Sequence, residues 1–484
     1  MLSIPSLARI GAVLTTLCLS PGLQAQTGQP SAATTIPARL QTVISGHKLP
    51  AQSYGFYVQE VGNGATILDI NSAAPLNPAS TMKLLTTLAA LEQLGPDFTW
   101  NTRVYALGPV NDGILQGDLL IKGGGDPFLL EEHVRNMLKA VQRAGILRIT
   151  GDLLLDTSYF DAGSGQDNFI DNKKDRAYNV LPNALMSNFQ AVTFYIHPSA
   201  DGKHVDIHTD PSLSNLQITN DVRLKKGPCE GYQHGLRFVE DPGRPEHVAW
   251  SGDYPASCQE DAMVRAVLTP ETFFYGLFGK LWAELGGEFH GSVRTAKAPA
   301  DLKPLVQWSS PPLADVIRSI NKYSNNLMTR QTLLTMGAER FAAPATVANG
   351  GNVVNEYLQM LGIKSDALVV SNGAGLAREA RITASLLNQV LQHGHDSPFM
   401  AEFISSLPLN GIDGTMRHRL RGERMRGNMH VKTGTLEEVS AVAGYVTAKS
   451  GKQFTVVGML NHGDADRGPG VELMDALLAW VFEH

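Results

Sequence analysis

The sequence carries a β-hairpin pattern near each of its ends, and this arrangement restricts the fold more than any other feature of the chain. Near the N-terminus, residues 54–61 and 65–70 have the alternation of half-buried strands on either side of a glycine-rich turn. Near the C-terminus, residues 440–447 and 453–460 form the second pair, and a largely apolar helix pattern at 472–482 follows. Helical patterns lie between the two pairs, so the sequence predicts one α/β domain that an insertion interrupts.

The insertion is indicated by a change in composition between residues 98 and 264, where short β-like runs are rich in Gly, Pro and Asp. Helical patterns return after it, first at 270–286 and again at 311–336. A chain of 484 residues is also longer than one hydrophobic core usually organises. The sequence therefore predicts a first part of the α/β domain at 26–97, a β-rich insertion at 98–264 and a second part at 265–484.

The first 25 residues have the pattern of a secretory signal peptide. Arg9 precedes an apolar run at residues 10–19, and small residues lead to a cleavage position after Ala25. A membrane anchor is the weaker alternative, because the apolar run is too short to span a bilayer and no stop-transfer pattern follows. We therefore expect residues 1–25 to be removed on export and the mature protein to reside in the periplasm.

Two cysteines, Cys229 and Cys258, remain once the leader and its Cys18 are removed. In an exported protein, two cysteines 29 residues apart most simply form one disulfide, and free buried thiols are the alternative. Metal ligation has little support, because the sequence contains no CxxC and no HExxH pattern. We expect a disulfide, and neither a metal nor an organic cofactor.

The composition excludes several classes of protein. Hydrophobic residues make up 43% of the chain and aromatic residues 7%, which is enough for sizeable cores and argues against disorder as the main state. The net charge of −6 disfavours bulk nucleic-acid binding, which needs a basic face. Beyond the leader, no apolar run reaches the length of about 18 residues that spans a bilayer. Weak membrane association through the final helix and homodimer formation remain open.

Ser80 and Lys83 form an SxxK pattern at the start of a predicted helix, which ends at Gly95-Pro96. The spacing puts the hydroxyl and the amine one turn apart on the same face of the helix. A serine becomes a nucleophile when a base takes its proton, and a lysine is that base if its surroundings keep the amine neutral. Taken alone, the pair also fits an ordinary capping serine and a surface lysine.

Two further motifs supply partners for the SxxK pair. Ser324 and Asn326 form an SxN pattern in a polar turn within the second helical stretch. A KTGT pattern follows on a predicted strand and consists of Lys432, Thr433, Gly434 and Thr435. SxxK, SxN and KTG in this order are the triple pattern of penicillin-recognising serine enzymes.

Each residue of these motifs has a mechanical role in such a site. Ser324 would relay a proton to the leaving amine, and Asn326 would hydrogen-bond the acyl side chain. Lys432 would offer a fixed cation to a substrate carboxylate, and Gly434 would let a substrate backbone approach the strand edge. The backbone N–H groups of the nucleophile and of Thr435 would form the oxyanion hole.

Over nearly the whole mature chain, the sequence resembles the low-molecular-mass class C penicillin-binding proteins, which are D-alanyl-D-alanine carboxypeptidases and endopeptidases. Residues 78–83, 124–127, 411–415 and 432–436 all fit this family. The gap of 244 residues between the first two motifs fits too, because extra domains fill it in this family. The resemblance implies a penicillin-binding/β-lactamase-like transpeptidase domain, an antiparallel sheet with helices, interrupted by the β-rich insertion.

Two stretches depart from the pattern of the family. Residues 371–376 read Ser-Asn-Gly-Ala-Gly-Leu where relatives usually have Asp-Gly-Ser-Gly-Leu, so the turn should persist while a side-chain hydrogen bond is in doubt. In the insertion, relatives place an acidic residue that grips the amine of the stem-peptide diamino acid. Here residues 171–178 mix two lysines with the acids, so the sequence does not assign that residue.

The resemblance implies an exported serine enzyme that cleaves peptidoglycan stem peptides and their cross-links through an acyl-enzyme on Ser80. It also implies that β-lactam antibiotics are covalent inhibitors. A β-lactamase has the same motifs, but it does not need a 244-residue gap between them. A catalytically idle wall-binding protein is disfavoured, because every reactive residue of the three motifs is present.

A basic run precedes the KTG strand and consists of Arg417, His418, Arg419, Arg421, Arg424 and Arg426. Such a run either draws anionic peptidoglycan stems towards the cleft or forms an ordinary solvated face. The sequence does not decide between the two.

Overall fold

The structure is a computed structural model that describes residues 34–161, 170–171, 173–231, 233 and 235–484. The predicted signal peptide, residues 1–25, lies outside the described residues. Over the part of the chain that is described, none of the helices combines the length and the apolar character needed to cross a membrane.

Helices and strands are numbered in chain order. The helices are α1 (Ala38–Gly46), α2 (Lys83–Leu94), α3 (Glu131–Arg143), α4 (Pro270–Glu284), α5 (Leu313–Tyr323), α6 (Asn326–Phe341), α7 (Val347–Met360), α8 (Ala384–Asp396), α9 (Met400–Ser406) and α10 (Pro469–Phe482). The strands are β1 (Tyr54–Glu60), β2 (Thr66–Ile70), β3 (Pro75–Leu76), β4 (Asn101–Leu107), β5 (Val110–Asn111), β6 (Ile114–Leu115), β7 (Asp118–Lys122), β8 (Arg148–Ile149), β9 (Leu153–Asp156), β10 (Ala191–Pro198), β11 (Val205–Asp210), β12 (Gln217–Lys225), β13 (Leu236–Asp241), β14 (Arg244–Pro255), β15 (Asp261–Ala266), β16 (Glu288–Phe289), β17 (Val293–Thr295), β18 (Val306–Ser309), β19 (Ile382–Thr383), β20 (Met429–Leu436), β21 (Val439–Thr447) and β22 (Gln453–Asn461).

A five-stranded antiparallel sheet in the order β2-β1-β22-β21-β20 joins the two ends of the chain. Strand β1 of the first hairpin pairs along its whole length with β22 of the second. Both faces of the sheet are buried. In β21, Val442 faces the core that contains α1 and α10, and the next residue, Ala443, faces the core that contains α2 and α8. The predicted α/β fold is therefore confirmed, with β20 as an edge strand.

Helix α2 lies within the helical layer and follows the short turn that contains Ser80. Every residue from Lys83 to Leu91 is buried, so protein surrounds this part of the helix on all sides. The helix ends at Gly95, whose φ of +87° suits glycine and whose N–H donates to the carbonyl of Leu91. The packing that fixes α2 therefore also fixes the positions of Ser80 and Lys83.

The β-rich insertion has its own sheets and its own core. Strands β17, β9, β7, β4 and β18 form a five-stranded sheet in that order, and one cluster of buried side chains runs from Val104 to Trp282. Helix α4 contributes to this core, and β16, β17 and β18 pair with strands of the insertion, although all four follow residue 264. The division at residue 264 remains a prediction. Because β16, β17 and β18 pair with β8, β9 and β4, we propose that the insertion extends to Ser309.

The predicted disulfide is confirmed. Cys229 and Cys258 are bonded, with their Cα atoms 5.0 Å apart. Cys258 belongs to the buried core of the insertion, and the bond closes a loop that includes β13 and β14. The bond therefore ties a segment of the insertion to its own core rather than to the domain that carries Ser80.

Replacing both Cys229 and Cys258 with serine should destabilise the insertion and leave the Ser80 site intact. Opening a loop of this length costs about 3–4 kcal/mol of unfolding free energy in the chain-entropy description. Calorimetry should show a lower unfolding temperature, and β-lactam acylation measured below that transition should be unchanged. An unchanged unfolding temperature would contradict the role given to the disulfide.

Candidate active site

Ser80 and Lys83 lie where a single 3-10 turn, Ala79–Met82, leads into α2. The N–H and the hydroxyl of Thr81 both donate to the carbonyl of Pro78, which holds this turn. The Nζ atom of Lys83 is 2.8 Å from the Oγ atom of Ser80. The structure therefore brings the two predicted side chains into direct contact.

The amine of Lys83 is completely buried and has three oxygen neighbours. Besides Ser80 Oγ, Nζ lies 2.8 Å from Oδ1 of Asn326 and 2.6 Å from the carbonyl oxygen of Ala374. A neutral amine has two N–H donors and one lone pair. The amide oxygen and the carbonyl oxygen can only accept, so they take the two donors. In the neutral form of Lys83, the lone pair is therefore left for the proton of the Ser80 hydroxyl.

The surroundings of Lys83 favour this neutral form. Burial lowers the pKa of Lys83 well below its ordinary value, because a charged amine loses its hydration. The positive charges of Lys432 and Arg330 lower this pKa further. The oxygen atoms that the described residues place around the Lys83 amine belong to a hydroxyl, an amide and a backbone carbonyl, and none of these groups carries a charge that would stabilise a protonated amine. The site is thus a cluster of buried cations, which disfavours a further positive charge on Lys83.

The helical stretch predicted at 311–336 is broken into α5 and α6 at Ser324. This residue adopts a left-handed backbone conformation with a φ of +58°, and Asn325 caps α6 by accepting a hydrogen bond from the N–H of Met328. The break brings Ser324 to β20, where Nζ of Lys432 donates to its hydroxyl at 2.8 Å. Lys432 is also completely buried, and burial lowers its pKa to about 7.

Gly434 lies where the edge strand β20 meets the turn that carries Ser80. A Cβ atom on Gly434 would lie 2.6 Å from the carbonyl oxygen of Pro78 and 3.0 Å from the amide nitrogen of Ser80. Only glycine therefore allows the strand to come this close to Ser80. On the other side of the strand, the hydroxyl of Thr433 is 2.8 Å from that of Thr415.

A cleft of about 460 Å³ opens beside Ser80. Its walls include three more of the predicted residues, Ser324, Asn326 and Thr435. The two lysines of the motifs are not part of the walls, because both are buried behind the hydroxyl groups that they contact. Among the residues that the structure describes, no group of three or more His, Cys, Asp and Glu side chains is placed to hold a metal ion.

The inserted unit supplies one wall of the cleft through Asp171 and Tyr178. The hydroxyl of Tyr178 donates to Asp171 at 2.5 Å, and the amide of Asn179 donates to the same carboxylate at 2.7 Å. Burial raises the pKa of Asp171, but these hydrogen bonds outweigh burial and the pKa is lowered overall. Asn326 donates to the carbonyl of Tyr178 at 3.3 Å. Within 171–178, Asp171 is the acid that lines the cleft.

The turn at 371–376 persists, as its glycines predict. Asn372 accepts a hydrogen bond from the N–H of Ala374 at 3.0 Å and donates to the carbonyl of Leu376 at 2.9 Å. The side chain of Asn372, which stands where relatives have aspartate, therefore still forms hydrogen bonds within the turn. Ala374 contributes through its backbone, since its carbonyl is one of the acceptors around the amine of Lys83.

The three motifs do not mark Arg330, although it belongs to the site. It lies one turn after Asn326 on α6 and is 8% exposed. Its Nη1 donates to the carbonyl of Val180 at 3.3 Å, and its Nε has no partner among the described residues. Burial lowers the pKa of Arg330 to about 10. A single arginine in a helical segment directly after the SxN pattern was the only signal in the sequence.

The fold is that of the penicillin-binding and β-lactamase-like proteins. The profile of the D-Ala-D-Ala carboxypeptidase 3 (S13) family matches residues 36–481, and the chain belongs to this family of serine-type D-Ala-D-Ala carboxypeptidases. The predicted resemblance to low-molecular-mass class C penicillin-binding proteins is thereby confirmed.

Similar proteins cover most of the chain. The D-alanyl-D-alanine carboxypeptidase of Actinomadura sp. is 28% identical over 488 residues, which cover 97% of this chain and 88% of that protein. The D-alanyl-D-alanine carboxypeptidase DacB of Haemophilus influenzae is 26% identical over 420 residues, 86% of each chain. The crystal structure of penicillin binding protein 4 from Haemophilus influenzae superposes with a TM-score of 0.79 at 23% identity, covering 92% of this chain and 99% of that one.

Arg330→Gln should raise the pKa of Lys83, because it removes a positive charge that opposes protonation of the amine. If neutral Lys83 is the base, the acid limb of the pH profile of β-lactam acylation should move to higher pH. The rate below the limb should then fall about tenfold for each pH unit of displacement. Stopped-flow acylation between pH 5 and pH 10 measures this.

Arg330→Lys is the matched control, since it keeps a positive charge on α6 and should keep the limb near its original position. A loss of rate in Arg330→Gln that is equal at every pH would indicate structural damage and would contradict an electrostatic role for Arg330.

Proposed function

We propose that the protein is exported and that it removes the terminal D-alanine from peptidoglycan stem peptides and also cleaves D,D cross-links between them. Both reactions proceed through an acyl-enzyme on Ser80. The observation that carries the proposal is the 2.8 Å contact between Ser80 Oγ and the buried amine of Lys83. Family membership supports the substrate class, and the leader pattern of residues 1–25 supports export.

Acylation begins with the attack of Ser80 Oγ on the carbonyl carbon of the penultimate D-alanine. The proton of the hydroxyl passes to Nζ of Lys83. The N–H groups of Ser80 and Thr435 would hold the negative charge that develops on the carbonyl oxygen, an arrangement that the close approach of Gly434 to the Ser80 turn supports. The edge position of β20 leaves room for the substrate backbone to add as a further strand.

Expulsion of the leaving amine requires a proton. The Ser324 hydroxyl would deliver it, since Ser324 lines the cleft and accepts a hydrogen bond from Lys432. With a pKa of about 7, Lys432 both gives and takes a proton near neutral pH. Water then attacks the acyl-enzyme and gives a proton to the Ser324–Lys432 pair, which lost one in the previous step. Lys83 returns its proton to Ser80 Oγ as the ester bond breaks and the shortened peptide is released. If the leaving amine belongs to a cross-linked neighbour instead of D-alanine, the same steps cleave the cross-link.

Substrate recognition uses the cleft walls on both sides of Ser80. Thr435 and the positive charge of Lys432, which lies on the same strand, would receive the terminal carboxylate, and Thr433 would support that end of the strand. Asn326 would bond the acyl side chain. Asp171, an acceptor on the wall that the insertion contributes, is our candidate for the group that grips the amine of the stem-peptide diamino acid.

β-Lactam antibiotics should acylate Ser80 and remain bound far longer than a catalytic turnover, because a β-lactam carboxylate takes the place of the D-alanine carboxylate. The similar Haemophilus influenzae penicillin binding protein 4 has been crystallised in complex with a β-lactam. Intact-protein and peptide mass spectrometry should locate one adduct on Ser80. Lys83→Ala should reduce the acylation rate at least 100-fold, since the base is lost.

Thr87→Ala is the matched control for Lys83→Ala, because it lies one turn further along the same buried helix and should acylate within a few-fold of the original protein. Rapid recovery of unmodified enzyme together with hydrolysed drug would favour a β-lactamase.

Incubation with purified muropeptides tests the function itself. Monomeric pentapeptides should lose one D-alanine, cross-linked dimers should yield monomers, and Ser80→Ala should lose both activities. Liquid chromatography with mass spectrometry identifies the products. Release of D-alanine without cleavage of dimers would restrict the protein to carboxypeptidase activity, and the absence of both products would contradict the proposal.

A further inference from the structure

The basic run lies on a compact loop, residues 411–428, which we call the arginine loop. The completely buried side chain of Asn410 organises it. Its amide nitrogen donates to the carbonyls of Leu420 and Met425, both at 2.9 Å, and its Oδ1 accepts from the N–H of Met429 at 3.0 Å. One buried amide therefore holds the middle and the end of the arginine loop in a fixed shape.

The arginine loop begins beside the active-site strand. Nζ of Lys322 donates to both carboxylate oxygens of Asp413, at 2.9 and 2.8 Å, and Lys322 precedes Ser324 by two residues. Two residues after Asp413, the hydroxyl of Thr415 is 2.8 Å from that of Thr433 in the KTG motif. The arginines that follow Thr415 are therefore attached to a segment in contact with the catalytic residues.

Four guanidinium groups of the arginine loop are exposed and form no ion pair within the described part of the chain. They are Arg417, Arg421, Arg424 and Arg426. Arg419 differs from them, because it bonds Asp475 at 2.6 Å and so fastens the loop to α10. Glu423 is the only acidic residue in this run.

Two of these arginines, Arg421 and Arg426, are also close together. A Cβ atom on Gly411 would lie 3.1 Å from Cγ of Arg426 and 3.4 Å from Cα of Arg421, so these two residues flank the same point of the backbone. A group of unpaired cations at fixed positions, on a chain whose net charge is −6, is a local anion-binding surface.

We propose that the arginine loop is a second contact surface for peptidoglycan. While one stem peptide occupies the cleft, the loop binds the carboxylates of neighbouring stem peptides. The proposal rests on the proposed function and adds to it a preference for polymeric substrate. Stem peptides carry several carboxylates, and an arginine side chain binds a carboxylate through two parallel hydrogen bonds in a bidentate geometry. Contact at two places along one strand raises the effective concentration of the scissile peptide at Ser80.

The placement of the apolar residues of the loop indicates that this surface binds a polymer that carries carboxylates rather than an anionic membrane. A membrane-binding surface combines cations with apolar side chains that enter the lipid. Here Leu420 and Met425 point inward and pack against the core between the sheet and α10. Ile412 is the exposed large apolar side chain of the arginine loop.

The test compares R421Q/R424Q with R143Q/R237Q, which removes two exposed arginines of α3 and β13 that do not line the cleft. With polymeric peptidoglycan, R421Q/R424Q should lower kcat/KM for D-alanine release about fivefold to tenfold at ~0.01 M salt. The difference should vanish at ~1 M salt, where the Debye length is about 3 Å. With an N-acetylated tripeptide ending in D-Ala-D-Ala, all variants should agree within about twofold. R421K/R424K should restore part of the rate on polymer, because lysine keeps the charge but not the bidentate contact.

Binding without catalysis separates this proposal from the proposed function. In a Ser80→Ala background, co-sedimentation with insoluble peptidoglycan should show a Kd about fivefold to tenfold higher for R421Q/R424Q than for R143Q/R237Q. Equal Kd values, or equal losses on polymer and tripeptide, would overturn the proposal. Arginine-dependent binding to phosphatidylglycerol vesicles that exceeds binding to peptidoglycan would overturn it too. Failure of the original protein to hydrolyse the tripeptide would count against the proposed function alone.

Discussion

The burial of the Lys83 amine, which has no carboxylate partner among the residues that the structure describes, is the constraint on which the rest of this structure depends. Burying a charged amine is costly, and a protein avoids the cost when the amine gives up its proton. The fold imposes this on Lys83 by surrounding α2 with packed side chains and by placing two further cations nearby. The two fixed acceptors around Nζ then direct its lone pair at Ser80. The structure thus leaves Lys83 with a lone pair available to the Ser80 hydroxyl, as its proposed role of base requires.

Helix α6 connects this site to the inserted unit. Its first residue, Asn326, contacts Lys83 and the carbonyl of Tyr178. One turn later, Arg330 bonds the carbonyl of Val180. The next residue, Gln331, donates to three backbone carbonyls of the insertion. Helix α6 thus contacts both the Lys83 amine and the cleft wall that carries Asp171. Hydrogen bonds from this helix position the insertion relative to Ser80.

Local patterns in the sequence were sufficient for the hairpins, for α2 and for the three motifs, because each depends on spacing within a few residues. The break between α5 and α6 is visible in the sequence only as a polar turn. The left-handed conformation of Ser324 and its contact with Lys432 on a distant strand are not marked by any local pattern. Strands β17 and β18 follow a helical pattern after residue 264, and nothing local indicates that they return to pair with β9 and β4. The sequence does not mark Arg330 for the same reason, because its place in the site comes from burial beside residues far away in sequence.

The central claim is that Lys83 is a neutral amine in the resting enzyme. Nuclear magnetic resonance of protein labelled with ¹³C at the lysine Cε position, assigned by comparison with Lys83→Ala, follows the protonation of this amine directly as the pH is changed. We predict that Lys83 titrates well below the ordinary lysine pKa of about 10.4 and that Arg330→Gln moves its midpoint upward. A Lys83 resonance that titrates with the exposed lysines, near their ordinary pKa, would contradict it.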